Sequence, residues 1–183
     1  TMGDDVRVVL IKLADRLHNC RTIEYMPEHK RDKILSETMF IFIPLAHRLG
    51  LYKIKSEMEN IWLQYREPDA YAQINKQINE YISDHKKEMD DFKNSIQQSI
   101  EDEGYKFQII SRIKSPYSIW RKMRTKGVSF NQIYDIYALR IIFEPKSKTS
   151  ERNQCWDIHT IITEGRTTLQ ERLRNWVDTP KSN

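Results

Sequence analysis

Between Tyr71 and Ile100 the apolar and aromatic positions recur three or four residues apart without a break. Tyr71, Ile74, Ile78, Tyr81, His85, Met89, Phe92, Ile96 and Ile100 make up the series. That period puts them on one narrow stripe of a helix. The stripe predicts a single long helix over 69–103, closed by Gly104, a residue suited to the left-handed turn after a helix. The same spacing suits a coiled coil, but His85 and the aromatic side chains would specify such a seam poorly.

Helices are also predicted on the N-terminal side. Val6, Val9, Leu10, Leu13 and Leu17 share a face, and Asp4 and Asp5 stand where a helix is capped, so a first helix should run to about Thr22. A second stretch covers roughly Glu28 to Arg48, where Pro44 should kink or end it. Lys53 to Tyr65 forms a third, and Asp69 is expected to cap the long helix. The period then changes. Tyr105 to Ile113 alternates and reads as a strand. Ser115-Pro116 reads as a cap followed by proline at the first helical position, and Gly127 as the stop. Tyr137–Phe143 is nearly all apolar and reads as a buried central strand ended by Pro145. Lys146 to Arg152 reads as a polar, mobile loop, and Cys155 to Thr163 as a further helix. Residues 164–183 remain ambiguous. Trp62, Trp120, Trp156 and Trp176 are expected to fill core positions. The order predicts an α+β fold: a helical module followed by strand, helix, strand and helix.

Charge is concentrated in one place. From Gly104 to Tyr134 there are seven basic residues and no acidic one, while the whole chain of 183 residues carries only +4. The excess is therefore local, which points to a site for an anionic ligand. No run of about 18 apolar residues occurs, which excludes a helical membrane span, and no basic-then-apolar leader opens the chain. Cys20 and Cys155 are too few for a disulfide framework and fit a reducing, cytoplasmic setting. No G-x4-G-K-[ST] or G-x-G-x-x-G fingerprint occurs.

Within the basic window Arg112, Lys114, Ser118 and Lys122 are followed by Asp135. A strand leading into a helix start would bring Arg112 and Lys114 to free backbone N–H groups and a positive dipole end, an arrangement that favours phosphate. Ser118 and Lys122, four apart, share a face. Asp135, at the mouth of the second strand, is a candidate Mg²⁺ ligand, because Mg²⁺ commonly takes one or two carboxylates plus substrate phosphates. A solvated basic face is the plainer alternative. In the first helix Asp15, His18 and Asn19 share a face and offer part of a metal site, though a helix surface with a local hydrogen bond explains the spacing better. The basic window also carries Tyr105, Phe107, Tyr117, Trp120 and Phe130. They leave open a nucleic-acid-binding module that stacks bases. A purely structural helical connector is a third reading.

Five blocks then fall into a familiar order: DDVRVVLIKLADRLHNCRT, IPLAHRLGLYKIKSEMEN, SPYSIWRKM, IYDIYALRIIF and LRNWVDTPKSN. Together they resemble the Rel/SpoT family, the stringent-response enzymes that make and degrade the alarmones pppGpp and ppGpp. The resemblance implies residues 1–66 as the C-terminal helices of an HD hydrolase domain with a helical connector. It implies residues 67–183 as the N-terminal part of a nucleotidyltransferase-like (p)ppGpp synthetase domain. It implies a GTP pyrophosphokinase that moves pyrophosphate from ATP to the 3′-hydroxyl of GTP or GDP, paired with a (p)ppGpp 3′-pyrophosphohydrolase.

Residue by residue, the resemblance puts Arg112, Lys114, Ser118 and Lys122 on ATP phosphates and Asp135 on catalytic Mg²⁺. Arg140 falls where the family usually has Arg. Arg172, Arg174, Lys181 and Asn183 fall on the GTP/GDP side, although Arg174 and Asn175 depart from the Lys and Asp of the R-x-K-D motif. Asp15 falls on a Mn²⁺ ligand of the hydrolase and Asn19 on a nucleotide contact. The expected partners are ATP, GTP/GDP and (p)ppGpp, with no membrane, and a ribosome contact through a region outside this sequence. The resemblance also implies an internal piece of a longer protein. The earlier His and His-Asp ligands and the later Gly-Tyr and Glu segments would lie outside it. The isolated chain is then expected to be impaired in synthesis and inert in hydrolysis.

Overall fold

A computed structural model describes residues 5–146 and 150–180. Its helices are α1 (Val6–Arg21), α2 (Glu28–Glu37), α3 (Ile43–Arg48), α4 (Tyr52–Arg66), α5 (Pro68–Asp102), α6 (Pro116–Lys126) and α7 (Glu151–Thr163), and its strands are β1 (Phe107–Ile113) and β2 (Tyr137–Phe143). The helical beginning and the strand–helix–strand–helix order follow the sequence pattern. The described residues divide into two compact units. One runs to Tyr81 and includes Lys114–Ile136; the other comprises Ile82–Ile113 and the residues from Tyr137 on. The long α5 contributes to both.

In the first unit α1 is capped by Asp5, whose side chain accepts from the Arg7 N–H. Its buried Val9, Leu13, Leu17 and Cys20 pack with Ile43, Ala46 and Met58 of α3 and α4. Pro44 does not end the second helical stretch. A π-helical turn, Thr38–Phe42, joins α2 to α3, and the Ile43 N–H bonds back to the Thr38 carbonyl. Widening the turn just ahead of the proline lets the chain continue past the residue that has no N–H to give. Asp69 lies inside the first turn of α5 and not at its cap. There its negative charge favours the helix start.

In the second unit β1 and β2 pair antiparallel, with Phe107 opposite Phe143 and Arg112 opposite Ala138. One face, carrying Phe107, Ile109, Leu139, Ile141 and Phe143, packs on Ile96 and Ile100 of α5 and Ile158 of α7. The other face carries Arg112 and Arg140 and leaves Ile110 and Ile142 exposed. β2 is therefore not a buried central strand: the sheet of the described residues has two strands, so alternate side chains of the apolar run face outward. The stripe of α5 is likewise buried only at its ends. Ile74, Ile78, Ile96 and Ile100 are covered, while His85 is exposed and Phe92 is 43% exposed. Helix α7 starts at Glu151, so Glu151 and Arg152 are helical and not loop. The tryptophans do not form a buried set: Trp62, Trp120 and Trp156 are half-buried and Trp176 is exposed.

Candidate active site

The candidate site belongs to the first unit and begins with the cap of α6. Ser115 has extended backbone and accepts from the Ser118 N–H, Pro116 opens the helix, and Gly127 at φ 62° closes it. The strand pairing continues one step beyond β1 and β2, with the Lys114 N–H donating to the Ile136 carbonyl at 2.8 Å. That bond sets Lys114 beside Asp135. The chain returns from α6 through a capped turn, in which Ser129 and Gln132 bond each other and Phe130, Ile133 and Ile136 are buried. These apolar anchors fix where Asp135 emerges.

Lys114 donates to Asp135 Oδ2 at 2.8 Å and Lys122 to Oδ1 at 2.6 Å. Burial by itself pushes the Asp135 carboxyl up, but the two lysine hydrogen bonds and charges outweigh it and hold it at about 2. The carboxylate is thus ionised throughout the physiological range. Both lysines line a hollow of about 240 Å³, together with Ser118, Tyr117, Arg121, Thr125, Lys55 and Glu59. Four cations against one carboxylate on that lining suit a polyanion. Lysine offers point charges there, and the Ser118 hydroxyl remains able to donate while it accepts from Ser115.

One expectation about this site fails. The start of α6 does not offer free N–H groups to a phosphate. Pro116 has none, the Tyr117 N–H donates to Asn60 Oδ1 at 3.1 Å, and the Ser118 N–H donates to the Ser115 side chain. Side chains, not the helix end, must hold an anion in this hollow. Asn60, Lys55 and Glu59 all come from α4, and the sequence reading named none of them. Lys55 and Glu59 are four apart and look like any surface helix pair; all three residues fall inside the block IPLAHRLGLYKIKSEMEN, but its spacing gives them no site role.

The remaining site candidates stand elsewhere. Arg112 and Arg140 lie on the exposed face of the second unit's sheet, one opposite Ala138 and the other opposite Ile110, hence diagonal neighbours. Arg172 and Arg174 are exposed in the same unit. Arg172 ends a short 3₁₀ turn, and Arg174 donates to the Leu173 carbonyl. Lys181 and Asn183 lie outside the described residues. Asn175 bonds Asp178 by side chain and backbone, and Arg152 pairs with the same Asp178. On α1 the Asn19 amide donates to Asp15 Oδ2 at 3.2 Å, and Asp15 is exposed.

Metal fitness differs between the two candidate positions. Among the described residues no group of three or more His, Cys, Asp and Glu could hold an ion. Asp15, beside the Asn19 amide, supplies at most one ligand from these residues. Asp135 fits Mg²⁺, which needs only one protein carboxylate when substrate phosphates supply further oxygens.

The aromatic residues of the basic window differ in exposure: Tyr134 is 71% exposed and Trp120 is half-buried, while the others are packed to different degrees. Tyr117 packs against Trp62 and Trp120 and is buried, as is Phe130. Tyr105 and Phe107 pack under the sheet. No helix among the described residues is long and apolar enough to cross a membrane.

Two family models match the chain: "HD domain" over residues 1–52 and "Region found in RelA / SpoT proteins" over residues 111–183. Curated relatives align along the whole chain. A protein of Brucella ovis named GTP pyrophosphokinase rsh is 35% identical over 182 residues, which is 24% of its own length. A Synechocystis protein named probable guanosine-3′,5′-bis(diphosphate) 3′-pyrophosphohydrolase is 36% identical over 183 residues, 23% of its length. A Myxococcus xanthus GTP pyrophosphokinase is 34% identical over 182 residues, also 23% of its length. The chain thus spans about a quarter of the length of these relatives.

Proposed function

The chain belongs to the RelA/SpoT family, and from that premise we propose that it is the segment of a (p)ppGpp synthetase/hydrolase that carries the triphosphate grip of the synthetase. In this reading residues 1–66 are the end of the hydrolase domain and its connector. Residues 67–183 open a nucleotidyltransferase-like synthetase domain. The reaction is transfer of pyrophosphate from ATP to the 3′-hydroxyl of GTP or GDP. The relatives' printed names, two for synthesis and one for breakdown, support a parent that handles both directions.

One observation carries the reading: Lys114 and Lys122 converge on Asp135 beside a cationic hollow. Pyrophosphoryl transfer needs alignment and charge neutralisation more than covalent help. Lys114, Lys122 and Arg121 neutralise the ATP phosphates, and Ser118 donates to a phosphate oxygen. Asp135 would hold Mg²⁺, which would supply charge neutralisation at the phosphates. The incoming phosphates take over the two ammonium groups, and Asp135 is released from them as an acceptor. The resemblance assigns Arg112 an ATP-phosphate role as well, and Arg172, Arg174, Lys181 and Asn183 the acceptor nucleotide. Asp15 and Asn19 belong to the hydrolase, where Asp15 would be one ligand of a Mn²⁺ held with residues outside this sequence. A cytoplasmic setting accords with two free cysteines, and a ribosome contact would fall to other parts of the parent.

The nucleic-acid reading has a weaker stacking platform than its aromatic count suggests, since Tyr117 and Phe130 are buried. Competition between ATP–Mg²⁺ and a labelled RNA at two salt concentrations tests the choice. ATP–Mg²⁺ should bind and RNA should not displace it. Steeply salt-dependent RNA binding with indifference to ATP would reverse the conclusion.

A further inference from the structure

The hollow beside α6 has a wall that the phosphate reading does not use. Lys55 and Glu59 of α4 line it. Glu59 is only 3% exposed, and its Oε1 accepts from Lys55 Nζ at 2.7 Å. Its Oε2 is buried and has no hydrogen-bond partner among the described residues. The Lys55 side chain is 22% exposed. A surface i,i+4 pair is solvated and needs no such burial. A buried carboxylate, in contrast, costs stability unless both oxygens are matched. Glu59 therefore carries an unfilled demand for one donor at the edge of a binding site.

The chemistry of that demand is selective. A polyphosphate at neutral pH presents acceptors and almost no donors, so it cannot satisfy a carboxylate oxygen. A nucleoside can, through a ribose hydroxyl or a base amino group. Lys55, conversely, offers charge to phosphate and nothing to a base. Resting on the reading of the hollow as a triphosphate site, we propose that Lys55 and Glu59 form a further substrate-binding element. Lys55 takes polyphosphate charge, and Glu59 Oε2 accepts a hydrogen bond from an O–H or N–H of the nucleoside. Both residues come from α4, outside the two matched segments, so the helical module completes the nucleotide site.

Binding of ATP–Mg²⁺ and of inorganic tripolyphosphate–Mg²⁺ to the 183-residue chain, measured by calorimetry, tests this. Lys55→Met should weaken both ligands roughly tenfold, as loss of a charge-assisted bond would, and Lys55→Arg should recover most of that. Glu59→Gln puts an N–H where an acceptor is needed. It should weaken ATP roughly tenfold and leave tripolyphosphate unchanged or tighter. Equal loss for both ligands, or none, would make Glu59 a structural residue and overturn the proposal. An unchanged Lys55→Met would overturn it too. Should Glu59→Gln fail to fold by circular dichroism, Glu59→Asp keeps the charge but withdraws the oxygen, and the same split between ligands is expected. Lys122→Met separates this idea from its premise. If the unaltered chain binds neither ligand, or Lys122→Met leaves both unaffected, the triphosphate site itself is wrong and the proposal falls with it. If Lys122 matters and Lys55 and Glu59 do not, only the present inference fails.

Discussion

Lys122 and Asp135, thirteen residues apart in the chain, meet at 2.6 Å. The bond spans the whole of the return from α6 to β2. Lys114 holds the other carboxylate oxygen, so a single acid keeps two ammonium groups close together at the edge of the hollow. In the proposed reading these ammonium groups change partners from Asp135 to a polyphosphate.

Replacing Asp135 by Asn in the full-length parent removes the carboxylate proposed to hold Mg²⁺ and leaves the two lysines facing an amide. Synthesis from ATP and GTP should fall by about two orders of magnitude or more, the scale typical of losing one electrostatic element at a reacting phosphate. Breakdown of ppGpp should continue. Chromatographic assay of both reactions on the same preparation checks this; persistent synthesis would show that Asp135 is not the metal-holding residue.

The depressed Asp135 carboxyl makes a pH prediction with a definite sign. Its folded value of about 2 lies below the ordinary 3.8. The stabilisation it gives is therefore complete above the ordinary value and is lost as pH falls through about 2. Asp135→Asn should flatten this part of the acid-unfolding curve and lower stability at neutral pH by the same amount, a modest one because the pair is half-exposed and screened. Urea midpoints measured from pH 2 to 7 test it; an unaltered acid limb would contradict the assignment.

Each unit has its own core, and each should be sensitive to a cavity. Leu13 and Ile100 are both 0% exposed. Leu13→Ala and Ile100→Ala should each cost about 2–5 kcal/mol, read as lowered urea midpoints of the far-ultraviolet circular dichroism. A loss below about 1 kcal/mol for either would mean that the site can collapse around the smaller side chain.

Gly127 ends α6 at φ 62°, and a Cβ there would meet nothing within 4 Å. Gly127→Ala should therefore destabilise by backbone strain alone, about 1 kcal/mol, and Gly127→Asn by less. Thermal unfolding of the two variants ranks them; equal stability of Ala and Gly would show that the left-handed turn is not required.

Local signals settled most of the elements. The three-four stripe gave α5 to within a residue at each end, and Ser115-Pro116 with Gly127 bracketed α6, because caps, prolines and glycines act over a few bonds. The five blocks gave the family, and the local charge excess pointed to the basic hollow. Among the features that escaped, two show why. The π turn ahead of Pro44 lets one helical run continue through the proline, a choice between kinking and ending that residue spacing does not encode. The outward face of β2 depends on how many strands flank it, which an apolar run does not encode.

What the sequence by itself determined, then, is the order of helices and strands, the cationic character of the α6 region and the candidacy of Lys114, Ser118, Lys122 and Asp135. Tertiary structure alone decided that Asp135 binds both lysines, that Asn60 occupies the N–H at the start of α6, and that Lys55 and Glu59 wall the same hollow. Periodicity reports which side chains share a face of one element. Which faces of different elements meet is set by packing, and a contact across 57 residues such as Asn60 to Tyr117 leaves no trace in local spacing.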